Sequence, residues 1–232
     1  MIKFGKSTSI LLVIVTILLT TFLPGVPVAA WSTSSTANTP VCTAANLQQD
    51  PQIVSDGSGG AIIVWFDYRK GSGDDFDIYA QRVDASGSAL WSDNGTAICT
   101  APNQTYEPQL VSDGSGGAII TWSDYRSGSN LDIYAQRVDA SGNALWTDNG
   151  TAICTAANHQ EYPYIVSDGS GGAIIAWRDY RSGSGNEDIY AQRVDASGST
   201  LWTDNGTAIC NAANTQDVPK IVVDGSGGAI IV

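Results

Sequence analysis

Short segments of alternating or β-branched and aromatic residues recur along the chain, separated by clusters of Gly, Asn, Asp and Pro. Runs bounded in this way are typical of strands joined by turns. We label the four strands predicted in one copy A to D. They are about Gln109–Ser112 entered from Pro108, Ala118–Arg126, Asp132–Asp139, and about Leu145–Cys154 with an irregularity at 148–150. Strand B is apolar on both faces near its start, which favours a strand covered on both sides.

These segments repeat as a unit. The turn Ser-Asp-Gly-Ser-Gly-Gly recurs at steps of 57, 55 and 56 residues, and the cysteines recur at the same steps. The recurring residues are Asp56, Asp113, Asp168 and Asp224, and Cys42, Cys99, Cys154 and Cys210. A period near 56 residues is too long for one coil of a β-solenoid and too short for a sandwich of about 100 residues. A four-stranded blade of a β-propeller fits best.

We therefore predict an all-β fold, a β-propeller of four-stranded antiparallel blades with about 56 residues per repeat. Residues 42–232 hold three complete repeats and a truncated fourth, so the ring is incomplete in this chain. Residues 31–41 are predicted to be an N-terminal segment ending in an outer strand, since they lead into Cys42 as strand D leads into Cys154. Each complete repeat brings two tryptophans, which we expect to pack between blades.

Two turns carry a family resemblance, one from Val138 to Trp146 and one from Asp113 to Ala118. They resemble the Asp-x-x-Gly hairpins of secreted bacterial β-propeller repeat proteins and are loosely similar to the Asp-box turns of sialidases. The resemblance covers residues of about 42 to 232. The usual Ser-x-Asp-x-Gly-x-Thr-Trp is not reproduced, so the resemblance does not imply sialidase activity.

Residues 1–30 have the pattern of a signal peptide: two early lysines, an apolar run from Ile10 to Leu23, and small residues up to Ala30. The run is shorter than the roughly 20 residues that span a bilayer. We expect a secreted or cell-surface protein with no membrane span after cleavage. Loss of the two lysines takes the net charge from −12 to −14, which excludes nucleic acid and leaves an extracellular glycan or protein as partner.

One His and four cysteines spaced a repeat apart predict no metal site of His or Cys ligands and no cofactor. Calcium stays open, because Asp-Gly turns supply oxygen ligands, although turn-forming Asp is the favoured interpretation. The cysteines are predicted to be four buried, unpaired thiols, because equivalent positions in adjacent blades lie beyond disulfide reach.

Comparison of the copies shows where they diverge. The A–B and C–D turns hardly change, whereas the B–C and D–A loops vary, and these loops share one face because antiparallel strands alternate in direction. Relaxed constraint on exposed loops explains this as well as a binding face does. The candidate ligand-binding residues, with the acids assigned to D–A loops and the rings able to stack on a sugar or peptide, are Asp50, Tyr106, Glu107, His159, Glu161, Tyr162, Tyr164 and Asp217.

The run Trp-x-Asp-Tyr-Arg recurs in every complete copy, so we assign it no catalytic role. We predict that Asp124 and Arg126 form cross-strand pairs with Arg137, and their equivalents likewise. No singular catalytic constellation stands out. The leading expectation is therefore an exported non-enzymatic module for binding or scaffolding. The alternatives are a secreted propeller-fold polysaccharide hydrolase or lyase using paired carboxylates such as Glu107 and Glu161, and a structural spacer of a longer exported protein.

Overall fold

The computed structural model describes residues 38–71 and 76–232, and these form antiparallel sheets in which consecutive strands are neighbours. Blade 1 comprises β1 (Gln48–Ser55), β2 (Ala61–Asp67), β3 (Asp77–Val83) and β4 (Thr96–Cys99). Blade 2 comprises β5 (Thr105–Ser112), β6 (Ala118–Asp124), β7 (Asp132–Val138) and β8 (Thr151–Cys154). Blade 3 comprises β9 (Gln160–Ser167), β10 (Ala173–Asp179), β11 (Asp188–Val194) and β12 (Thr207–Cys210), and a hairpin follows with β13 (Ile221–Val223) and β14 (Ala229–Ile231).

The predicted all-β fold of four-stranded antiparallel blades is confirmed. The predicted signal peptide, residues 1–30, lies outside the described residues. So does most of the predicted N-terminal segment, and residues 38–47 form no strand. Cys42 and Thr43 nevertheless dock on blade 1, where the Thr43 amide donates to Asn94 Oδ1 at 2.7 Å. The amide of Thr100 contacts Asn149 of blade 2 in the same way.

The apolar core lies between blades. One cluster joins Ile78 and Trp91 of blade 1 to Ile120 and Trp122 of blade 2, and a second cluster joins blades 2 and 3. The Trp91 indole N–H donates across the junction to the carbonyl of Ala140 at 3.0 Å. The sheets therefore stack face to face through their tryptophans, as expected, and each junction buries large rings that stabilise it.

The turn between β5 and β6 shows how the conserved spacing of polar residues closes each blade. Asp113 Oδ1 accepts the amides of Ser115 and Gly117, while Oδ2 accepts from Arg137 at 2.9 Å. Arg137 also donates to the carbonyl of Ala196 in the next blade. The predicted pairing of Arg137 with Asp124 and Arg126 is wrong, because Asp124 faces Asp132 at the opposite end of the sheet.

Asp124 instead organises the junction with the preceding blade. It accepts from its own neighbours, the Trp122 indole N–H at 2.7 Å and the Arg126 guanidinium at 2.6 Å. Arg126 stacks on Tyr134 and reaches Cys99 Sγ of blade 1 at 3.4 Å. The same contacts recur in blades 1 and 3, which explains why the Trp-x-Asp-Tyr-Arg run repeats.

The cysteines are unpaired, as predicted. Burial raises the pKa of Cys99 and of Cys154 to about 12, so both remain neutral thiols. Cys42 and Cys210 are only half-buried, which differs from the expectation of four buried thiols. Cys210 ends β12, next to a sheet of which the described residues supply two strands, so less of a neighbouring blade covers it.

Candidate functional site

The first strands of adjacent blades, β1, β5 and β9, lie side by side and contact one another. Each has a bulge near its loop-side end. In β5 the register shifts between Tyr106 and Gln109, so that Glu107 and Pro108 together face the single residue Trp122. Glu107 has φ of 58°, a left-handed conformation that is rare for a non-glycine residue.

The bulge recurs in each described blade but displays a different side chain. Asp50, Glu107 and Tyr162 occupy the equivalent position before proline, and all have positive φ. The three residues line one cavity of about 240 Å³, here named the bulge cavity. Its lining is Asp50, Gln52, Phe66, Glu107, Pro108, Gln109, Tyr162, Pro163 and Tyr164.

A second cavity of about 310 Å³, here named the loop cavity, adjoins the first and shares Glu107 and Tyr162 with it. Its lining is Gln104, Tyr106, Glu107, Tyr125, Leu131, His159, Glu161 and Tyr162. The two cavities bring together seven of the eight candidate residues, and Asp217 lies beside them. The acids Asp50, Glu107 and Glu161 lie on strands rather than in the predicted D–A loops, because the first strand of each blade begins before its proline.

Glu107 stands in the wall common to both cavities. Its Oε2 accepts the Tyr162 amide at 2.7 Å and the Ser123 hydroxyl at 3.1 Å. Burial raises the pKa of Glu107 above its ordinary value, and the charge of Glu161 adds to the rise, although the two hydrogen bonds oppose it. Neither bond uses Oε1, so Oε1 is the oxygen that carries a proton when Glu107 is protonated.

Glu161 has the opposite surroundings. Its Oε2 accepts from Arg178 NH2 at 2.7 Å, and Arg178 NH1 donates to Asp217 Oδ1 at 2.7 Å. The guanidinium lies over the ring of Tyr162, 4.5 Å from its centroid. Arg178 therefore gives Glu161 a charge-assisted hydrogen bond and links Asp217 to the site.

Arg178 was missed by the sequence reasoning. It occupies the second position of the Trp-x-Asp-Tyr-Arg run, where the other copies have Phe66 and Ser123. Phe66 lines the bulge cavity and Ser123 bonds Glu107, so this position reaches the site in all three blades. The signal was available, because it is the one variable position in an otherwise repeated run.

The remaining candidates surround these carboxylates. The Leu131 amide donates to His159 Nδ1 at 3.1 Å. Lys220 donates to the Tyr164 hydroxyl at 2.9 Å, and its ammonium lies over the Tyr164 ring. Tyr106 contacts Phe76 edge-on, with the ring centroids 6.1 Å apart. The site thus combines carboxylates with aromatic surface.

Across residues 38–71 and 76–232, no group of three or more His, Cys, Asp or Glu side chains is arranged to hold a metal ion. A search of the same residues found no helix with the length and apolarity needed to cross a membrane.

Solved structures share the fold. The chain is similar to an alpha-L-arabinanase of Penicillium chrysogenum, solved with arabinobiose, at 14% identity and a TM-score of 0.50, over 78% of this chain and 57% of that one. An endo-arabinase of Bacteroides thetaiotaomicron matches at 16% identity and a TM-score of 0.41, over 79% of this chain and 69% of that one. An exo-1,5-alpha-L-arabinanase from a bovine ruminal metagenomic library matches at 14% identity and a TM-score of 0.45, over 80% and 77%. No protein-family model and no curated protein sequence matches the chain.

The likeness to the Penicillium chrysogenum structure shows the fold, a β-propeller, and the chain spans little more than half of that enzyme. The leading expectation of a non-enzymatic binding or scaffolding module is corrected by this comparison, because the matching structure is that of an arabinanase. The comparison favours the alternative, a propeller hydrolase, which is taken up next as a proposal. The similarity of the turns to Asp-box turns is a resemblance in sequence only.

Proposed function

We propose that the chain is a secreted, propeller-fold polysaccharide hydrolase in which Glu107 is the general acid and Glu161 the second carboxylate. One observation carries the proposal: two carboxylates in the wall of one cavity have opposite electrostatic surroundings. Glu107 has a raised pKa from burial, whereas Glu161 is bonded to a guanidinium. Glycosidases use two carboxyl groups in different protonation states, and a difference in surroundings of this kind assigns the two roles.

The chemistry follows from these states. Glu107 donates its proton to the glycosidic oxygen, which leaves as a hydroxyl group. Glu161, which accepts a hydrogen bond from Arg178, either takes a proton from the attacking water or attacks the anomeric carbon itself. The anomeric configuration of the product distinguishes the two routes. In both routes one water molecule is consumed for each bond cleaved.

The site favours a neutral polysaccharide. Tyr106, Tyr162 and His159 offer rings on which sugars can stack, and carboxylates outnumber cations around the cavities. The carboxylates of Asp50 and Glu161 would repel the uronic acids of an anionic polymer. This charge balance supports a hydrolase over the lyase that the sequence also allowed, because a lyase removes a proton next to a substrate carboxylate.

The test is hydrolysis of a panel containing arabinan, xylan and polygalacturonate, followed by the release of reducing ends. We expect turnover of a neutral polymer and a loss of about 10²-fold or more in Glu107→Gln and in Glu161→Gln. Asp148→Asn, an exposed acid in the turn before β8, is the matched control and should keep full activity. No turnover of any polymer, or full activity in Glu107→Gln, would overturn the proposal.

The secreted state rests on residues 1–30 alone. N-terminal sequencing of the protein recovered outside the cell should begin after Ala30. Recovery only inside cells, with Met1 intact, would contradict this part of the proposal and leave the hydrolase part standing.

A further inference from the structure

Nδ1 of His159 lies close to two groups, the Leu131 amide and the Glu161 carboxylate. Nδ1 accepts the Leu131 amide at 3.1 Å, and it also lies 3.9 Å from Glu161 Oε1. An imidazole nitrogen that accepts a hydrogen bond carries no proton, so in this geometry His159 is neutral with its proton on Nε2. The 3.9 Å approach is therefore no ion pair in the neutral state.

The contact with Leu131 is part of a seam between two blades. The Gln160 amide donates to the Leu131 carbonyl at 2.8 Å, and Asn130 Nδ2 donates to the Asn158 carbonyl at 3.0 Å. These bonds fasten the loop before β7 to the segment before β9. Leu131 and His159 both line the loop cavity, so the seam forms part of its wall.

Protonation of His159 changes which group Nδ1 can bond. A proton on Nδ1 removes the acceptor of the Leu131 amide and directs two N–H groups at each other, while it gives Nδ1 a donor for Glu161 Oε1. The other titratable or charged groups around the imidazole act in both directions. Glu161, Glu107 and Asp132 attract the imidazolium and Arg178 repels it, while Tyr180 presents its ring edge at 6.2 Å.

We propose that His159 is a proton-dependent latch on the wall of the loop cavity, closed on the Leu131 amide when neutral and transferred to Glu161 when protonated. The latch rests on these contacts alone. Its effect on turnover rests on the proposed function, because a protonated His159 would share Glu161 with Arg178 and release the loop before β7.

The chain contains one histidine, which makes the test direct. Nuclear magnetic resonance of the ¹⁵N-labelled full chain, titrated from about pH 8 to about pH 5, covers the range in which imidazoles change charge. We expect the Nε2–H tautomer at the upper end. As His159 gains its proton, the Leu131 amide proton should shift upfield with the same midpoint and lose its protection from hydrogen exchange.

The next blade junction supplies an internal control. Thr215 stands there in place of His159, and the Gln216 amide donates to the Glu187 carbonyl at 2.8 Å. The Gln216 amide should not follow the imidazole midpoint. In His159→Gln, whose side-chain carbonyl can accept from Leu131 but cannot titrate in this range, the Leu131 shift should keep only the response to the neighbouring Asp132, whose pKa is about 6. With Asp132→Asn added to His159→Gln, the Leu131 shift should become independent of pH.

An Nδ1–H tautomer in the neutral protein, or a Leu131 amide that ignores the titration of His159, would overturn the latch. Both readings come from the wild-type chain and need neither a folded variant nor a substrate. Failure of hydrolysis with a working latch would reject the proposed function and keep the latch.

Discussion

Two sets of positions behave differently in the repeats. The framework, meaning the Trp-x-Asp-Tyr-Arg contacts and the turn at Asp113 with its equivalents, makes the same hydrogen bonds in each described blade. The bulge and loop cavities have different side chains at several equivalent positions, as Asp50, Glu107 and Tyr162 show, although the proline after the bulge is the same in each copy. Copies that keep their framework can therefore change their pocket residues without changing the fold.

The largest expected effect comes from the framework ring Trp122, which is fully buried and donates to Asp124. Trp122→Ala should lower the free energy of unfolding by about 3–5 kcal/mol, because it leaves a cavity between blades 1 and 2. Denaturant unfolding measures this. The control is Tyr162→Ala in the pocket, where the side chain is 39% exposed and should change stability by less than about 1 kcal/mol. Equal losses of unfolding free energy in the two variants would contradict the distinction between framework and pocket positions.

A glycine comparison sharpens the contrast at the backbone. A Cβ on Gly117, in the framework turn, would lie 2.1 Å from the carbonyl oxygen of Val138. Gly117→Ala should therefore destabilise by about 3 kcal/mol, near the upper end of the usual overpacking cost. Gly128, in a variable loop, has φ of +71° and open space around it, so Gly128→Ala should cost only about 1–2 kcal/mol. Thermal unfolding of both variants measures the two losses of stability. A larger loss in Gly128→Ala than in Gly117→Ala would contradict the prediction.

Asp132 tests the contrast through pH. Burial raises its pKa to about 6, with the charge of Asp124 adding to the rise and the bond from Asn130 opposing it. A carboxyl group with a raised pKa favours the folded state when protonated, so its contribution is present below the unfolded pKa and is lost as pH rises through about 6. Asp132→Asn stays uncharged.

The stability of Asp132→Asn relative to wild type should consequently increase by about 1–2 kcal/mol between about pH 4 and about pH 7. Urea unfolding at several pH values measures the difference. Asp148→Asn, which removes an exposed acid, should show no such trend. A constant difference for Asp132→Asn would mean that Asp132 is already ionised throughout this range.

The smallest effect on stability is expected for Arg178→Gln. Its ion pairs with Glu161 and Asp217 lie partly exposed in the pocket, where the loss should be less than about 1 kcal/mol. Its rate of hydrolysis should fall nonetheless, because Glu161 loses the guanidinium that orients its carboxylate. Arg178→Lys should restore part of the rate. A large stability loss would place Arg178 in the framework instead.

The sequence predicted strands B and C to within about two residues, because their alternation and flanking turns are unambiguous. It began strand A four residues too late. Pro108 predicts a strand start, because proline cannot donate in a ladder, but the bulge accommodates it within β5. Strand D was predicted too long, because Asp148–Gly150 forms a turn before β8.

The candidate site was predicted as a set of residues, not as a geometry. Divergence among copies pointed to one face, and the convergence of β1, β5 and β9 brings seven of the candidate residues together there. The difference between the surroundings of Glu107 and Glu161 could not be predicted from the sequence. It depends on burial and on Arg178, which only three-dimensional packing places nearby. Positive φ before a proline was equally unreadable, because residues in that position normally prefer extended backbone.

The backbone bulge in the first strand of each blade forms regardless of which side chain occupies the position before proline. Proline follows the displayed residue at positions 50, 107 and 162, and the ladder resumes after it whether that residue is a carboxylate or a phenol. A combinatorial library restricted to these few codons would therefore vary the lining of the cavity on an unchanged scaffold. Selection from such a library could redirect the protein to another ligand with very few substitutions.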